Sequence, residues 1–412
     1  MSRQNPTPLF DSLSYELVNN ISSECFASSP TERKDYKKIR EFLLSYKGSE
    51  ATYNAYRREI ERFFHWCQLR SKKSLIEITR PDVENYLAFC QKPLKSWIGL
   101  NQVPRFIEKN GQRIPNQKWK PFVVSLPKRD TKNFKLPKIE DYQLSERSLK
   151  EIFTALSSFY NFLIQENYFD KNPILQIRQK SKYFTKKSQH TIIRRLSELQ
   201  WGYLIETAEL MTEENQSHER TLFIISALYG LYLRISELTA SERWVPMMGH
   251  FFRDADGLWW FKTVGKGNKE RIITVSTAMM KALKRYRKSL ELPSLPALNE
   301  QAPLLPKNLG PGAISSSRYI RQLAQTCFDK TIERLKKDNF FDEAEQLMNA
   351  TVHWLRHTGI SDDVKIRPRE HVRDDAGHSS SAITDKYIDI ELRDRHRTGK
   401  QKKLKPEWLE QS

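Results

Sequence analysis

Residues 377–389 of this 412-residue chain read GHSSSAITDKYID, and this stretch decides what kind of fold the rest of the sequence has to support. Its serines can cap a helix, and Ile383, Tyr387 and Ile390 follow at helical spacing. An ordinary exposed helix needs neither the Gly-His pair at its start nor a tyrosine nine residues later. The stretch therefore raises the question of which chemistry these groups share with other polar residues of the chain.

Length and composition exclude several classes of protein. With 412 residues and 38% hydrophobic content, the chain is long enough for two or three domains with cores of their own. Its longest apolar stretch, residues 221–233, is shorter than a membrane span and ends at Arg234. The N-terminus has no basic segment followed by an apolar one, so we expect a soluble, cytoplasmic protein.

The cysteines and histidines do not indicate a metal site. Cys25, Cys67, Cys90 and Cys327 lie far apart, and the nine histidines form no zinc-like spacing with them. We expect reduced cysteines in the cores and predict no metal and no other cofactor.

The net charge of +19 is concentrated in two stretches. Residues 92–138 hold twelve Lys and Arg against two acidic residues, and residues 171–195 hold eight and no acidic residue. This concentration suits a phosphate-binding surface, because each neutralised phosphate releases a counterion, and a solvated surface is the alternative. The sequence thus predicts a nucleic-acid partner. The candidate DNA contacts are Lys118, Lys120, Lys128, Arg129, Lys132, Lys180, Lys182, Lys186, Lys187, Arg194 and Arg195.

Apolar periodicity divides the chain into two predicted domains. We predict a polar N-terminal tail over 1–34, a helical DNA-binding domain over 35–178, a basic linker over 179–194, a second domain over 195–392 and a basic C-terminal tail over 393–412. Four amphipathic helices build the first domain. The basic insertion at 92–138 lies between the third and the fourth, and its six prolines argue against a long helix. Its aromatic residues Trp97, Phe106, Trp119, Phe122 and Phe134 are expected to pack on the bundle rather than stack on bases.

The second domain combines helices with a few strands. Ser197 and Gln200 form a predicted capping box at its first helix. Three short strands within residues 247–252, 258–264 and 270–276 are expected to form a small antiparallel sheet, and the remainder is helical to about Leu392. The predicted fold class is mainly α with a small antiparallel β-sheet, an α+β arrangement in the second domain.

Six polar residues of the second domain share one chemistry: Arg234, Lys266, His353, Arg356, His378 and Tyr387. Each alone is more often structural; Arg234, for example, could pair with Glu237. Together, the arginine forks match the oxygens of a phosphodiester, the histidines donate or accept protons, and the tyrosine can attack phosphorus. A lysine on a hairpin tip can protonate the leaving sugar oxygen. The set predicts phosphoryl transfer to tyrosine without a metal.

Four sequence boxes carry a family resemblance: LRISEL (233–238), GKGNKER (265–271), HWLRHTG (353–359) and AGHSSSAITDKYI (376–388). In this order and at these separations they resemble the active-site boxes of the tyrosine recombinases, the phage integrase family. The resemblance covers residues 195–392 closely, and the preceding bundle is similar to that family's core-binding domain. It implies a two-domain clamp on DNA, with Tyr387 as the nucleophile, Lys266 as the general acid, and both arginines and both histidines activating the phosphate.

The resemblance also implies a reaction and its partners. The reaction would be site-specific recombination, with a 3′-phosphotyrosyl link, a free 5′ hydroxyl and a Holliday junction, and without metal or ATP. The partners would be double-stranded DNA at recombination sites and three further copies of the chain in a tetramer on two sites, with accessory DNA-bending or directionality proteins as further candidates. Residues 388–412 are candidates for docking on a neighbouring copy.

Three features depart from the family pattern. Tyr232 stands where the family generally has glycine, Asp374 and Asp375 stand where apolar residues commonly precede Gly-His, and residues 365–372 (KIRPREHV) replace a commoner glycine turn. Because all the catalytic residue types are present, we interpret these departures as features of a subgroup.

Two further functions stay open on the sequence. A type IB topoisomerase would use the same chemistry without a second DNA site, and a sequence-specific DNA-binding accessory protein would lack catalysis. Among recombinases, the insertion at 92–138 and the proline-containing segment around 293–312 favour the integrase of a mobile element over a minimal resolvase.

Overall fold

The computed structural model describes residues 5–18, 29–128, 130, 136–178, 194–265, 267–378, 380, 383–384 and 400. The chain divides into two compact units, residues 1–189 and residues 190–412. Within the described ranges, no helix is both long enough and apolar enough to cross a membrane. Except for Arg194 and Lys400, the predicted linker over 179–194 and the predicted tail over 393–412 lie outside the described residues.

The first unit is a helical bundle whose helices begin at caps that the sequence supplies. Its helices are α1 (Leu13–Val18), α2 (Pro30–Leu44), α3 (Glu50–Trp66), α4 (Arg80–Gln91), α5 (Glu146–Gln165) and α6 (Pro173–Arg178). At the start of α2, the Ser29 hydroxyl accepts the N–H of Glu32 while the Glu32 carboxylate accepts the N–H of Ser29. The apolar stripes that the sequence predicts on α2, α3, α4 and α5 meet in one core. Cys67 and Cys90 are buried there as free thiols.

The N-terminal segment belongs to this core, so the prediction of a loosely held tail over 1–34 is wrong for its described part. Leu9, Phe10 and Leu13 are buried. The buried Glu61 carboxylate accepts hydrogen bonds from the N–H of Leu9 at 2.5 Å and of Phe10 at 3.2 Å. A buried carboxylate needs donors, and the backbone of this segment supplies them. Helix α2 also starts at Pro30, before the predicted boundary.

The basic insertion contains strands that the sequence analysis did not predict. Strand β1 (Ile98–Gly99) pairs in parallel with β4 (Phe122–Val123), and β2 (Phe106–Lys109) forms an antiparallel hairpin with β3 (Gln112–Pro115). Asn110 and Gly111 at the hairpin turn both have positive φ, as a two-residue primed turn requires. Packing on the bundle is confirmed for Trp97 and Phe122, which belong to its core, and for Trp119, whose ring lies against His65 of α3. Phe106 is buried as well, and Phe134 lies outside the described residues.

The second unit is helical around a separate core. Its helices are α7 (Glu198–Glu214), α8 (Glu219–Gly230), α9 (Thr277–Ser289), α10 (Ser317–Lys337), α11 (Phe341–Leu347), α12 (Val352–Asp363) and α13 (Arg369–Ala376). The predicted capping box is confirmed, because the Ser197 hydroxyl accepts the N–H of Gln200 and the Gln200 side chain accepts the N–H of Ser197. Leu204, Ile224 and Leu283, from three of these helices, are fully buried in the common core.

A three-stranded sheet completes the second unit. Strands β5 (Phe251–Arg253), β6 (Trp259–Val264) and β7 (Glu270–Thr274) are antiparallel in the order β5-β6-β7. The predicted sheet is confirmed, although its first strand is shorter than expected because Met248–His250 form a 3₁₀ turn. The predicted fold class, mainly α with a small antiparallel β-sheet in the second unit, is confirmed as well.

The docked N-terminal segment gives a stability prediction. Phe10→Ala removes a fully buried ring, so we expect the free energy of unfolding to fall by about 3–5 kcal/mol in urea titrations. Val18→Ala, at a side chain that is 83% exposed in the same segment, should change it by less than about 0.5 kcal/mol. If both changes lowered the free energy of unfolding by the same small amount, the result would contradict the packing of the N-terminal segment in the core.

Candidate active site

Arg234 lies at a sharp bend that follows α8. The helix ends at Gly230, Tyr232 adopts a left-handed backbone conformation with φ of +48°, and a 3₁₀ turn covers Ile235–Glu237. The buried Glu237 carboxylate accepts the Arg234 backbone N–H at 2.8 Å and Arg234 Nη1 at 3.0 Å. The Arg234 side chain remains 29% exposed. The ion pair thus orients Arg234 and leaves part of its side chain accessible from solvent.

Arg271 shares the same carboxylate, and the sequence analysis did not select it. Its two terminal nitrogens donate to the two oxygens of Glu237, both at 2.7 Å, and its Nε donates to the Asp375 carbonyl at 3.0 Å. Burial would raise the pKa of Glu237, but the hydrogen bonds and charges of Arg271 and Arg234 outweigh it and lower that pKa below its usual value. Glu237 is therefore ionised and holds two cations side by side.

Arg356 is buried on α12 and is oriented by backbone carbonyls. Its Nη1 donates to the Tyr232 carbonyl, and its Nη2 donates to the Ala376 carbonyl at 2.5 Å. Helices α8 and α12 pack so closely that a Cβ at Gly359 would stand 2.1 Å from the Tyr229 carbonyl oxygen. This close packing brings Arg356 on α12 within reach of the Tyr232 carbonyl, just after α8. The glycine that closes the HWLRHTG box thus has a packing reason.

The histidines lie in the field of these arginines. Burial and the charges of Arg356, Arg234 and Arg271 lower the pKa of His378 to about 4. Partial desolvation and the charges of Arg356 and Arg234 also lower the pKa of His353, although its side chain reaches solvent. Both rings are therefore neutral near pH 7. The structure brings the predicted residues Arg234, His353, Arg356 and His378 together at one place in the second unit.

A third histidine belongs to the cluster. The rings of His353 and His357 meet edge to face, with centroids 4.2 Å apart. Burial and the charges of His353, Arg356 and His378 lower the pKa of His357 to about 3. The spacing of four residues between the two histidines on α12 is the sequence signal that could have identified it.

Two glycines allow the surrounding backbone to approach the arginines. A Cβ at Gly265 would stand 3.0 Å from Arg271 Nη1 and 3.6 Å from Arg234 Nη1, so the β6–β7 turn begins directly beside the cations. Gly377 has φ of +63° at the end of α13, and a Cβ there would stand 2.8 Å from Arg271 Cδ. Both the conformation and the space therefore favour glycine at the start of the Gly-His pair.

Two predicted site residues, Lys266 and Tyr387, lie outside the residues that the structure describes. Their described neighbours lie in the cluster. Gly265 precedes Lys266, and the buried Thr384, three residues before Tyr387, has its hydroxyl oxygen 2.9 Å from His378 Nδ1.

The predicted DNA contacts are described in part. Lys118 and Arg194 are exposed, and Lys120, Lys128 and Arg195 are half-buried. Arg195 Nη1 is 3.9 Å from a carboxylate oxygen of Asp362. Six further candidates lie outside the described residues: Arg129, Lys132, Lys180, Lys182, Lys186 and Lys187.

Two cations of the basic insertion serve the fold. Arg105 forms an ion pair with the buried Glu61 and packs over the Trp119 ring, with its guanidinium carbon 4.7 Å from the ring centre. Arg113 pairs with Asp11 in the N-terminal segment. The positive charge of residues 92–138 therefore includes cations that are engaged within the first unit and are not all available to bind DNA.

Comparison with known proteins shows what parts of the chain are similar to. The family model described as "Phage integrase, N-terminal SAM-like domain" matches residues 39–97. The chain is 28% identical over 156 residues to tyrosine recombinase XerC of Pediococcus pentosaceus, covering 36% of this chain and 44% of the relative. It is 29% identical over 148 residues to tyrosine recombinase XerD of Rickettsia bellii, covering 36% and 45%. These matches span less than half of each relative's length.

Solved structures share the fold. XerH site-specific recombinase bound to a palindromic difH substrate matches with a TM-score of 0.53 at 13% identity, covering 97% of this chain and 99% of that one. The Tn1549 transposon integrase in complex with a circular intermediate DNA matches with a TM-score of 0.51 at 14% identity, covering 90% and 98%.

The fold is that of the site-specific recombinases, and the second unit gathers arginines and histidines in the order of that family's active-site boxes. The chain is therefore similar to the tyrosine recombinases, the phage integrase family, in sequence over part of its length and in fold.

The lowered pKa of His378 predicts a pH-dependent stability. Unfolding returns the ring to its usual pKa of 6.5, so between pH 6.5 and about 4 the unfolded chain binds a proton that the folded chain does not. This contribution to stability is complete above pH 6.5 and is lost as the pH falls toward 4. We expect His378→Gln to flatten the decline of the free energy of unfolding over this range, measured by denaturant titration at a series of pH values.

The exposed His371 on α13 offers the matched control, His371→Gln, which should keep the parental slope. Parallel slopes for the parent and His378→Gln would show that this ring does not resist protonation in the folded protein.

Proposed function

We propose that this chain is a site-specific DNA recombinase that cuts and rejoins DNA strands through a covalent link between Tyr387 and a 3′ phosphate. The observation that carries the proposal is the convergence of Arg234, His353, Arg356 and His378. Glu237 and Arg271 link Arg234 to the Asp375 carbonyl, and Arg356, on the same helix as His353, donates to the carbonyl of Ala376, two residues before His378. The similarity to the tyrosine recombinases supports the same reaction.

The two arginines suit the scissile phosphate because the protein fixes their directions in advance. Glu237 holds Arg234, and two backbone carbonyls hold Arg356. Donors that are already oriented stabilise the charge of a pentacovalent phosphate without reorganising during the reaction. Arginine also offers a planar fork of donors that matches two phosphate oxygens.

The neutral histidines and Lys266 supply the proton transfers. The Tyr387 hydroxyl oxygen forms a bond to phosphorus while the bond from phosphorus to the 5′ oxygen breaks. The phenolic proton goes to His353 or His378, and Lys266 protonates the leaving 5′ oxygen. A bound phosphate raises the pKa of a nearby histidine, which favours its role as proton acceptor.

Strand exchange follows from the reversal of this step on a second duplex. Its 5′ hydroxyl attacks the phosphotyrosyl bond, releases Tyr387 and creates a Holliday junction. The bond energy is kept in the covalent link, so the proposal includes no ATP and no other cofactor. Four copies of the chain on two DNA sites would perform both exchanges, with residues 388–412 docking on a neighbouring copy.

The exposed or half-buried cations Lys118, Lys120, Lys128, Arg194 and Arg195 are proposed contacts to the DNA backbone, together with the six predicted candidates outside the described residues. We place the protein in the cytoplasm on DNA, as the integrase of a mobile element. The insertion at 92–138, with its own hairpin, and the fold shared with a transposon integrase support this assignment.

A type IB topoisomerase is the second candidate, because the same set of residues could cleave and reseal a single duplex. The two functions differ in their need for a defined sequence. A recombinase captures one shared site, whereas a topoisomerase relaxes plasmids without such a site.

Covalent trapping on a pool of nicked duplexes tests the proposal. A nick beside the cleavage position lets a short product diffuse away, so the enzyme stays linked to DNA. We expect the parent to form a DNA-linked band on duplexes that share one sequence. Tyr387→Phe should reduce the band by at least about a thousandfold without weakening DNA binding, because only the nucleophilic oxygen is lost.

Tyr319→Phe is the matched control, since Tyr319 is a half-buried tyrosine of α10 whose hydroxyl accepts the Asn308 amide at 2.9 Å. It should trap DNA as the parent does. Specific binding without any adduct in the parent would overturn the proposal in favour of a DNA-binding accessory protein, and adducts on unrelated sequences would favour the topoisomerase.

A further inference from the structure

Tyr232 holds an unusual backbone conformation at the edge of the candidate active site. Its φ of +48° is in the left-handed region, which is costly for a bulky side chain and is the reason that glycine suits this place. The side chain is nevertheless buried, with 1% of its surface exposed. The backbone conformation of Tyr232 sets the direction of its carbonyl, which accepts a hydrogen bond from Arg356 Nη1.

Asp363 and Arg367 hold the Tyr232 side chain by hydrogen bonds to its hydroxyl group. Its hydroxyl donates to a carboxylate oxygen of Asp363, at the end of α12. Arg367 Nη1 donates to the Tyr232 hydroxyl oxygen at 3.0 Å and to the same Asp363 oxygen at 3.1 Å. These bonds fix the ring and thereby the strained backbone to which it is attached.

Arg367 also reaches the second backbone segment that orients Arg356. Its Nη2 donates to a carboxylate oxygen of Asp375 at 2.7 Å, and the other Asp375 oxygen accepts the Thr274 N–H at 3.2 Å. The next residue, Ala376, provides the other carbonyl acceptor for Arg356. Arg367 therefore joins the two segments whose carbonyls hold the Arg356 guanidinium.

We propose that Tyr232, Asp363, Arg367 and Asp375 form a positioning network that sets the direction of Arg356 toward the scissile phosphate. This role rests on the proposed function and adds residues that act on Arg356 through the backbone carbonyls of Tyr232 and Ala376. Tyr232, Arg367 and Asp375 fall within the three stretches where the sequence departs from the family pattern, and the network gives these departures one physical reason. The hydroxyl and the ion pairs hold the backbone geometry that glycine and a glycine turn would otherwise allow.

Tyr232→Phe tests the network with the loss of one oxygen atom. The ring stays in place and Asp363 keeps its ion pair with Arg367, so no buried charge loses its partner. We expect DNA affinity to stay at the parental value while the single-turnover rate of covalent trapping on the nicked duplex falls roughly 10- to 100-fold, as expected for a misdirected catalytic group. Arg367→Lys, which keeps the charge and loses the fork, should show the same division between affinity and rate.

Tyr229→Phe is the matched control. The Tyr229 hydroxyl donates to Asp362 at 3.0 Å, so this change removes a neighbouring tyrosine–aspartate bond to the end of α12 without touching an acceptor of Arg356. It should lower the melting temperature about as much as Tyr232→Phe and leave the trapping rate at the parental value. Equal loss of rate in both variants would show a general loosening of the helix pair and would overturn the positioning role.

A substrate with a methylphosphonate at the cleaved position separates positioning from packing. Its phosphorus centre carries no negative charge, so cleavage depends less on a correctly directed guanidinium. The rate defect of Tyr232→Phe should therefore shrink on this substrate. A rate defect of unchanged size on the methylphosphonate would overturn the positioning role alone. The same conclusion would follow if the parent formed the adduct on the ordinary nicked duplex and Tyr232→Phe formed it at the same rate. If the parent formed no adduct, the proposed function would be overturned and the positioning role with it.

Discussion

The buried carboxylate of Glu237 is the interaction on which the candidate active site depends. It accepts hydrogen bonds from Arg234, beside the bend after α8, and from both terminal nitrogens of Arg271 on β7. A buried carboxylate is costly unless it is paired and fully hydrogen-bonded, and here two guanidiniums satisfy it. Arg271 extends the link to the end of α13 through the Asp375 carbonyl. One carboxylate therefore joins three parts of the chain and holds two cations at a spacing that their repulsion would otherwise oppose.

Close backbone approach is the second constraint on the site. Gly265 and Gly377 stand where a Cβ would meet the side chain of Arg271, and Gly359 lets α12 lie against the end of α8. Tyr232 is not a glycine, yet its backbone adopts the left-handed conformation. Hydrogen bonds of its hydroxyl group hold it in that conformation. The cations are thus carried by backbone that can adopt few other arrangements, which suits donors that must already be directed when a phosphate arrives.

The helices and the second-unit sheet could be predicted, and the four described candidate residues could be selected, because each leaves a local pattern: apolar stripes, the Ser197–Gln200 cap, and boxes of polar residues. The parts that were missed depend on partners distant in the sequence. The N-terminal segment is buried because Glu61, more than fifty residues later, accepts its backbone N–H groups, and Arg113 is a fold residue because it meets Asp11. Arg271 lies in the candidate site through contacts that its sequence position does not indicate, whereas the four-residue spacing from His353 is the one local sign of His357.

The most direct test of the central claim is to identify the residue that carries the DNA in a trapped complex. Trypsin should release Tyr387 at the start of the peptide 387–393, apart from the serines at 379–381, which lie in the peptide 374–386. After nuclease treatment, mass spectrometry should find the remaining nucleotide on peptide 387–393, attached through its 3′ phosphate to the tyrosine. A nucleotide on the peptide that holds the serines, or on any other tyrosine, would contradict the account.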